Sequence, residues 1–294
     1  MEKRFFEIEK RANELRRRTL DMCIKAGTGH VTSSMSCAEI MSVLYCGGIM
    51  KHDPKNPEWE DRDRFILSKG QASPILYVIL GESGYFPQER LNYFVRGEDG
   101  SGKNAPFGVH LQCTVPGVEF TTGSLGHGLG YGVGIGEAAK LDGKDFLTYV
   151  LLGDGELYEG SNWEVAMYAS HHKIDNVVAI VDRNGMCTNG YTEKIVSLEP
   201  IEEKFESFGW ETRRINGHSV KELYGALERN GNGTGKPYAI IAETVKGKGI
   251  ASMTDKLYMH GIAPTGEGAE IARKELDAFI EDHIKNGGYN GSQA

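Results

Sequence analysis

Two short runs of apolar, β-branched and aromatic residues, 146–152 and 176–181, flank a stretch, 157–172, long enough for a helix. The pattern predicts a strand, helix, strand unit. A right-handed crossover places both strand carboxyl ends on one sheet edge, where open α/β sheets bind ligands. Elsewhere, Phe5, Ile8, Ala12, Leu15, Leu20 and Met22 recur at roughly helical spacing over residues 3–25, before Gly27 and Gly29. A second helix is expected from about Ser36 to Tyr45, a strand at 64–68, a helix at 74–80, a strand at 237–244 and a last helix over about 267–284. Residues 96–118, rich in Gly, Pro, Asn and Asp, read as a long loop. The small-residue stretch with Gly128, Gly130, Gly132, Gly134 and Gly136 reads as a helix pressed against a neighbour, because each interior glycine costs about 1 kcal/mol relative to alanine. These small residues are expected on an exposed face that meets a partner. No composition break divides the chain. The expected fold class is therefore a single α/β domain over 1–286, with a largely parallel sheet and helices on both faces, and a flexible tail at 287–294.

The first predicted strand ends at Gly153-Asp154-Gly155-Glu156, and Asn184 follows the second. The unit thus directs a carboxylate and a carboxamide at one crevice. Gly153 and Gly155 permit a sharp turn and close approach of backbone to ligand, and a following helix would offer N–H groups to an anion. Magnesium takes hard oxygen ligands, usually a few from protein and the rest from phosphate and water. Taken alone, Gly-Asp-Gly reads more readily as a hairpin turn without ligand. Asn184 at the end of the next strand favours the metal.

The formal net charge of −8 has no compensating basic block beyond Arg16-Arg17-Arg18, which reads as a solvated helix face. This argues against nucleic acid or an anionic membrane as partner. No signal peptide or apolar span is evident, so a cytoplasmic location is the default. Five scattered cysteines without a CxxC pair indicate neither a disulfide framework nor a zinc site.

In this order along one chain, Ala26-Gly27-Thr28-Gly29-His30, Asp63-Arg64-Phe65-Ile66-Leu67-Ser68, Pro116-Gly117-Val118-Glu119, Thr122-Gly123-Ser124-Leu125-Gly126, the Gly-Asp-Gly segment and His260-Gly261 resemble the N-terminal, thiamine-diphosphate-binding half of transketolases. The family's second half is missing, so the chain looks like the smaller subunit of a split transketolase, completed by a separate C-terminal subunit in an α2β2 assembly. The resemblance implies transfer of a two-carbon ketol unit from a ketose to an aldose with thiamine diphosphate and Mg²⁺, for which Ca²⁺ or Mn²⁺ can substitute. It assigns Asp154, Asn184 and the Met186 carbonyl to the metal. Gln71, Gly153, the Gly155 N–H and Glu156 fall at the cofactor, and Gly123, Ser124 and Leu125 at its aminopyrimidine. His30, His110 and His260 would converge on substrate, with His260 also near the diphosphate, and Glu159 would lie at the dimer interface. Imidazoles suit such a site because they exchange protons near neutral pH. His52, His127, His171, His172, His218 and His283 are assigned to surface or packing.

The chain departs from the family pattern where substrate would sit. Gln71 replaces a histidine, Val31-Thr32 follow His30, and Leu111-Gln112 follow His110. An unusual sugar substrate is the expectation. The alternatives are a cofactor-binding subunit of a decarboxylating 2-oxoacid enzyme, which shares the Gly-Asp-Gly…Asn site, and a non-catalytic transketolase-like regulatory subunit.

Overall fold

The computed structural model describes residues 2–97, 105–228 and 233–288. Five parallel strands form the central sheet: β1 (Arg64–Leu67), β2 (Thr148–Gly153), β3 (Val177–Arg183), β6 (Glu211–Asn216) and β7 (Tyr238–Glu243), in the order β1-β2-β3-β7-β6. A two-stranded hairpin, β4 (Met186–Cys187) and β5 (Gly190–Tyr191), follows β3. The helices are α1 (Glu2–Ala26), α2 (Val31–Met35), α3 (Ala38–Cys46), α4 (Ser73–Ser83), α5 (Gly128–Leu141), α6 (Gly160–His171), α7 (Thr192–Ile195), α8 (Ile201–Ser207), α9 (Val220–Leu227) and α10 (Gly266–Lys285).

Alternate strand residues feed two apolar layers. Tyr149, Leu151, Val178, Ile180 and Ile240 pack with α1, α3, α4, α9 and α10, whereas Val150, Leu152, Ala179, Val181 and Ile241 pack with α5, α6 and α8. Burial on both faces explains why β2 and β3 read as continuous apolar runs. Helix α1 stops at Gly27, whose φ of 71° suits glycine.

The structure corrects several expectations. Arg16 is not on a solvated face: it is fully buried, with its guanidinium on Glu39 (2.6 Å), the Met35 carbonyl and Asn13. The glycines of α5 divide into two sets. Gly128, Gly132 and Gly136, four residues apart, pack onto the sheet, where a Cβ would collide with Ser68, Val150 and Val177. Only the other set, around Gly134 and Ala138, lies outward. The long loop keeps little regular structure over 105–118, and its residues 98–104 fall outside the described residues, as do 289–294 of the expected tail. Strand β6 and helices α8 and α9 escape the sequence pattern. As an edge strand, β6 buries only Ile215 and carries Arg214 paired with Glu199 and Glu243, so no alternating apolar signal exists to read.

Candidate active site

The carboxyl ends of β1, β2, β3 and β7 meet on one edge of the sheet, and the loops beyond them enclose a polar cleft lined by Lys69, Gln71, Leu125, Gly153 to Glu156, Asn184, Met186, Thr188, Lys246 and His260. At the end of β2, Asp154 is 1% exposed. Its Oδ1 accepts the Gly155 N–H (2.8 Å), and its Oδ2 accepts the Gly185 N–H (2.6 Å) and faces the Arg183 guanidinium (2.8 Å). Burial raises this carboxyl, opposed by Arg183. Asn184 lies just past β3, with its Oδ1 accepting the Met186 N–H (3.2 Å) and so fixing the turn into the hairpin.

Two expectations about the Gly-Asp-Gly-Glu segment change. The Gly155 N–H is already committed to Asp154, and no long helix follows directly; a short 3-10 turn, Gly155–Tyr158, intervenes before α6. Gly155 instead makes room for the hairpin, since a Cβ there would stand 2.6 Å from that of Cys187. Glu156 is buried, with its carboxylate accepting from the Ser68 hydroxyl and the Gly126 (2.9 Å) and Gly153 (3.0 Å) N–H groups. Its side chain fastens the three loops of the cleft and has little capacity left for a ligand.

His30, His110 and His260 come together from three distant segments. The His30 ring centroid lies 6.2 Å from that of His110 and 5.7 Å from that of His260. Glycines make this possible: a Cβ on Gly123 would lie 2.7 Å from the His110 ring, and one on Gly261 would lie 3.1 Å from His30 Nε2. Burial, with the nearby His110 and Lys246, pushes His30 down to about 4. Burial, with Lys246 and His30, does the same for His260. Both imidazoles are therefore neutral near pH 7. The His30 Nδ1 is buried without a hydrogen-bond partner among the described residues.

Ser124 is exposed and Leu125 half-buried beside Gly123, while Gln71 reaches the cleft from the 3-10 turn after β1. Gly70 in that turn presses on the Thr122–Gly123 backbone, where a Cβ would be 2.5 Å from the Thr122 carbonyl carbon. Glu159 is exposed at the start of α6.

Sequence reasoning passed over the site's cations. Lys69 is buried against Asp182 and donates to the Ser33 carbonyl (2.8 Å), while Asp182 also accepts from the Ser36 (2.6 Å) and Thr244 hydroxyls. Burial works against both charges, but their pairing wins, raising Lys69 and lowering Asp182. Lys246, 3% exposed, places its Nζ 2.9 Å from His260 Nδ1, and burial with nearby Lys69 lowers it to about 8. Each lysine stands at a strand's carboxyl end, Lys69 directly before Gly70-Gln71 and Lys246 after β7, and that placement was the available signal.

The family model described as the transketolase thiamine diphosphate binding domain matches residues 8–279. The chain belongs to the transketolase family. It is 39% identical to the 6-deoxy-6-sulfo-D-fructose transketolase subunit of a Clostridium species (strain MSTE9), over 94% of this chain and 98% of that one. It is 38% identical to one of the apulose-4-phosphate transketolase subunits of Phocaeicola vulgatus, over 93% and 95% of the two chains. Campylobacter jejuni transketolase superposes with a TM-score of 0.82 at 31% identity, over 96% of this chain but 47% of that one. The chain thus spans about half the length of that solved transketolase and nearly the full length of the two relatives named as subunits. It is a transketolase-type transferase subunit with a thiamine-diphosphate-binding domain, of the kind that works with a separate partner chain. Among the described residues, no helix is long and apolar enough to cross a membrane.

Proposed function

We propose that the chain is the cofactor-binding subunit of a cytoplasmic split transketolase, which moves a two-carbon ketol unit between sugars after joining a C-terminal subunit to form α2β2. The observation that carries this reading is the convergence of Asp154 and Asn184 with three histidines and two lysines on one sheet edge. The donor set suits magnesium. Asp154 Oδ1 has a single N–H donor among the described residues, leaving lone-pair capacity, and Asn184 lies alongside. No three His, Cys, Asp or Glu side chains cluster as metal ligands among the described residues, so a divalent ion here would rely on one carboxylate and neutral oxygens, including the Met186 carbonyl. Calcium or manganese could use the same set.

Thiamine diphosphate, when bound, supplies the electron sink for breaking the ketose C2–C3 bond. The protein's own groups bind and move protons. Lys246 offsets the diphosphate charge and holds His260 through its Nδ1, while Lys69 stays paired with Asp182. Gly123 to Leu125 form one wall for the aminopyrimidine. Neutral His30 and His260, with His110, orient the sugar hydroxyls and accept protons from them. Glu159 lies on the face that meets the second active site. Binding of magnesium pyrophosphate should be tightest while Lys246 carries its proton and should weaken as pH rises through about 8. Titration calorimetry across that range should show this loss, and Lys246→Ala should flatten it.

Gln71 cannot carry a proton, and two of the relatives are named for uncommon sugars. Both support a substrate other than the common ketose phosphates. A donor and acceptor panel, assayed with the partner chain, tests this reading. Ketol transfer from an uncommon sugar is expected, with Gln71→His shifting preference toward xylulose 5-phosphate. Best turnover of unaltered protein on xylulose 5-phosphate would count against the substrate reading, and CO₂ release from a 2-oxoacid would contradict ketol transfer itself.

A further inference from the structure

The segment Asn216-Gly217-His218-Ser219 lies outside the cleft, yet it is tied to it. Ser219 caps α9 by accepting the Glu222 N–H, and the Glu222 carboxylate accepts the Asn216 N–H, so the turn is held at two points. Gly217 lets this turn close onto the end of β7, because a Cβ there would stand 2.5 Å from Thr244 Cγ2 and 2.9 Å from the Glu243 carbonyl oxygen. His218, 6% exposed, then uses both ring nitrogens. Its Nε2 accepts the Val245 N–H (2.8 Å), so that nitrogen is unprotonated; Nδ1 therefore carries the hydrogen and donates to Glu39 Oε2 (2.9 Å). Glu39 is held in turn by buried Arg16 at the same oxygen (2.6 Å). Burial alone would raise the Glu39 carboxyl, but Arg16 and His218 keep it well below the usual range.

The chain of contacts runs from α1 through α3 to the backbone of Val245, and the next residue is Lys246. That residue's Nζ faces His260 in the cleft. We infer that His218, locked in one tautomer by Glu39 and Arg16, is a positioning residue for the Lys246 ammonium, and that it sets affinity for the diphosphate without touching it. The inference rests on the proposal that Lys246 meets a diphosphate.

Titration calorimetry of the chain assembled with its C-terminal partner, using magnesium pyrophosphate and thiamine diphosphate, tests it. His218→Asn keeps a donor toward Glu39 but loses the acceptor for Val245, and His218→Phe keeps a ring but loses both bonds. Either folded variant should bind about tenfold more weakly, because both lose the buried hydrogen bond to the Val245 N–H that precedes Lys246. His218→Gln, which can present an oxygen near the former Nε2 position, should recover most of the affinity. In the double variant His218→Asn, Lys246→Ala, binding should be no weaker than in Lys246→Ala alone, because one change acts through the other. Unchanged affinity in His218→Asn or His218→Phe, or losses that multiply in the double variant, would overturn the inference while leaving the cofactor reading intact. If the Lys246→Ala assembly bound like the unaltered one, or the unaltered assembly did not bind, the cofactor reading would fail first and the inference with it.

Discussion

Replacing Asp154 with alanine is expected to remove measurable binding of magnesium and thiamine diphosphate while leaving the fold in place. Asp154 is the carboxylate at the proposed metal position, beside the neutral Asn184 and Met186 oxygens, and among the described residues the nearby acids are already committed, Glu156 to Ser68, Gly126 and Gly153 and Asp182 to Lys69, Ser36 and Thr244. Removing an outer-shell partner already costs about 10–100-fold in metal affinity. Loss of the charged ligand itself should exceed about 100-fold, with Asp154→Asn intermediate because it keeps an oxygen but not the charge. Stability should change little, since burial already works against this carboxylate and Arg183 retains Glu193 (2.9 Å) and Glu199 (2.9 Å). Calorimetric titration paired with a melting curve checks both halves. Unchanged cofactor affinity would move the metal site elsewhere, and a large loss of stability would make Asp154 structural.

Arg16→Met should produce the largest loss of stability among these substitutions. The guanidinium and the Glu39 carboxylate are both buried, and the arginine also supplies hydrogens to Met35 and Asn13. Breaking one side of a buried ion pair typically costs about 3–5 kcal/mol, because the remaining charge has lost its partner. In a chain of this size, that should lower the melting temperature by roughly 10 °C. Replacing both residues, Arg16→Met with Glu39→Leu, should recover much of the loss, because no unpaired charge remains. Thermal unfolding of the single and double variants decides this. A single variant as stable as the unaltered chain would return Arg16 to the solvated face that its neighbours Arg17 and Arg18 occupy.

The architecture was legible where burial leaves a periodic trace. Strands β2 and β3 are covered on both faces and are apolar throughout most of their length, so their ends, and with them Asp154 and Asn184, could be placed on one edge. Strand β6 was not legible, because an edge strand with four charged or polar residues in its first four positions has no apolar face to show. Arg16 was misread for a related reason: an arginine beside two exposed ones resembles surface, and only the distant Glu39 reveals the buried pair. Among the glycines of α5, composition could not separate those pressed on the sheet from those facing outward, although their spacing of four would have done so. At the site, the family pattern brought the three histidines forward, whereas Lys69 and Lys246 owe their position to loops from different strands. His218 belongs to the same class. Its importance lies in a backbone N–H 27 residues away, at Val245, which no local pattern discloses.

Ketol transfer measured for this chain alone, for its C-terminal partner alone and for the two mixed, each with and without thiamine diphosphate and magnesium, tests the central claim most directly. Transfer of a two-carbon unit from ketose to aldose is expected only in the mixture containing both chains, the cofactor and the metal, and it should disappear with Asp154→Ala. Turnover by this chain alone, or turnover in the mixture that survives removal of thiamine diphosphate, would contradict the account.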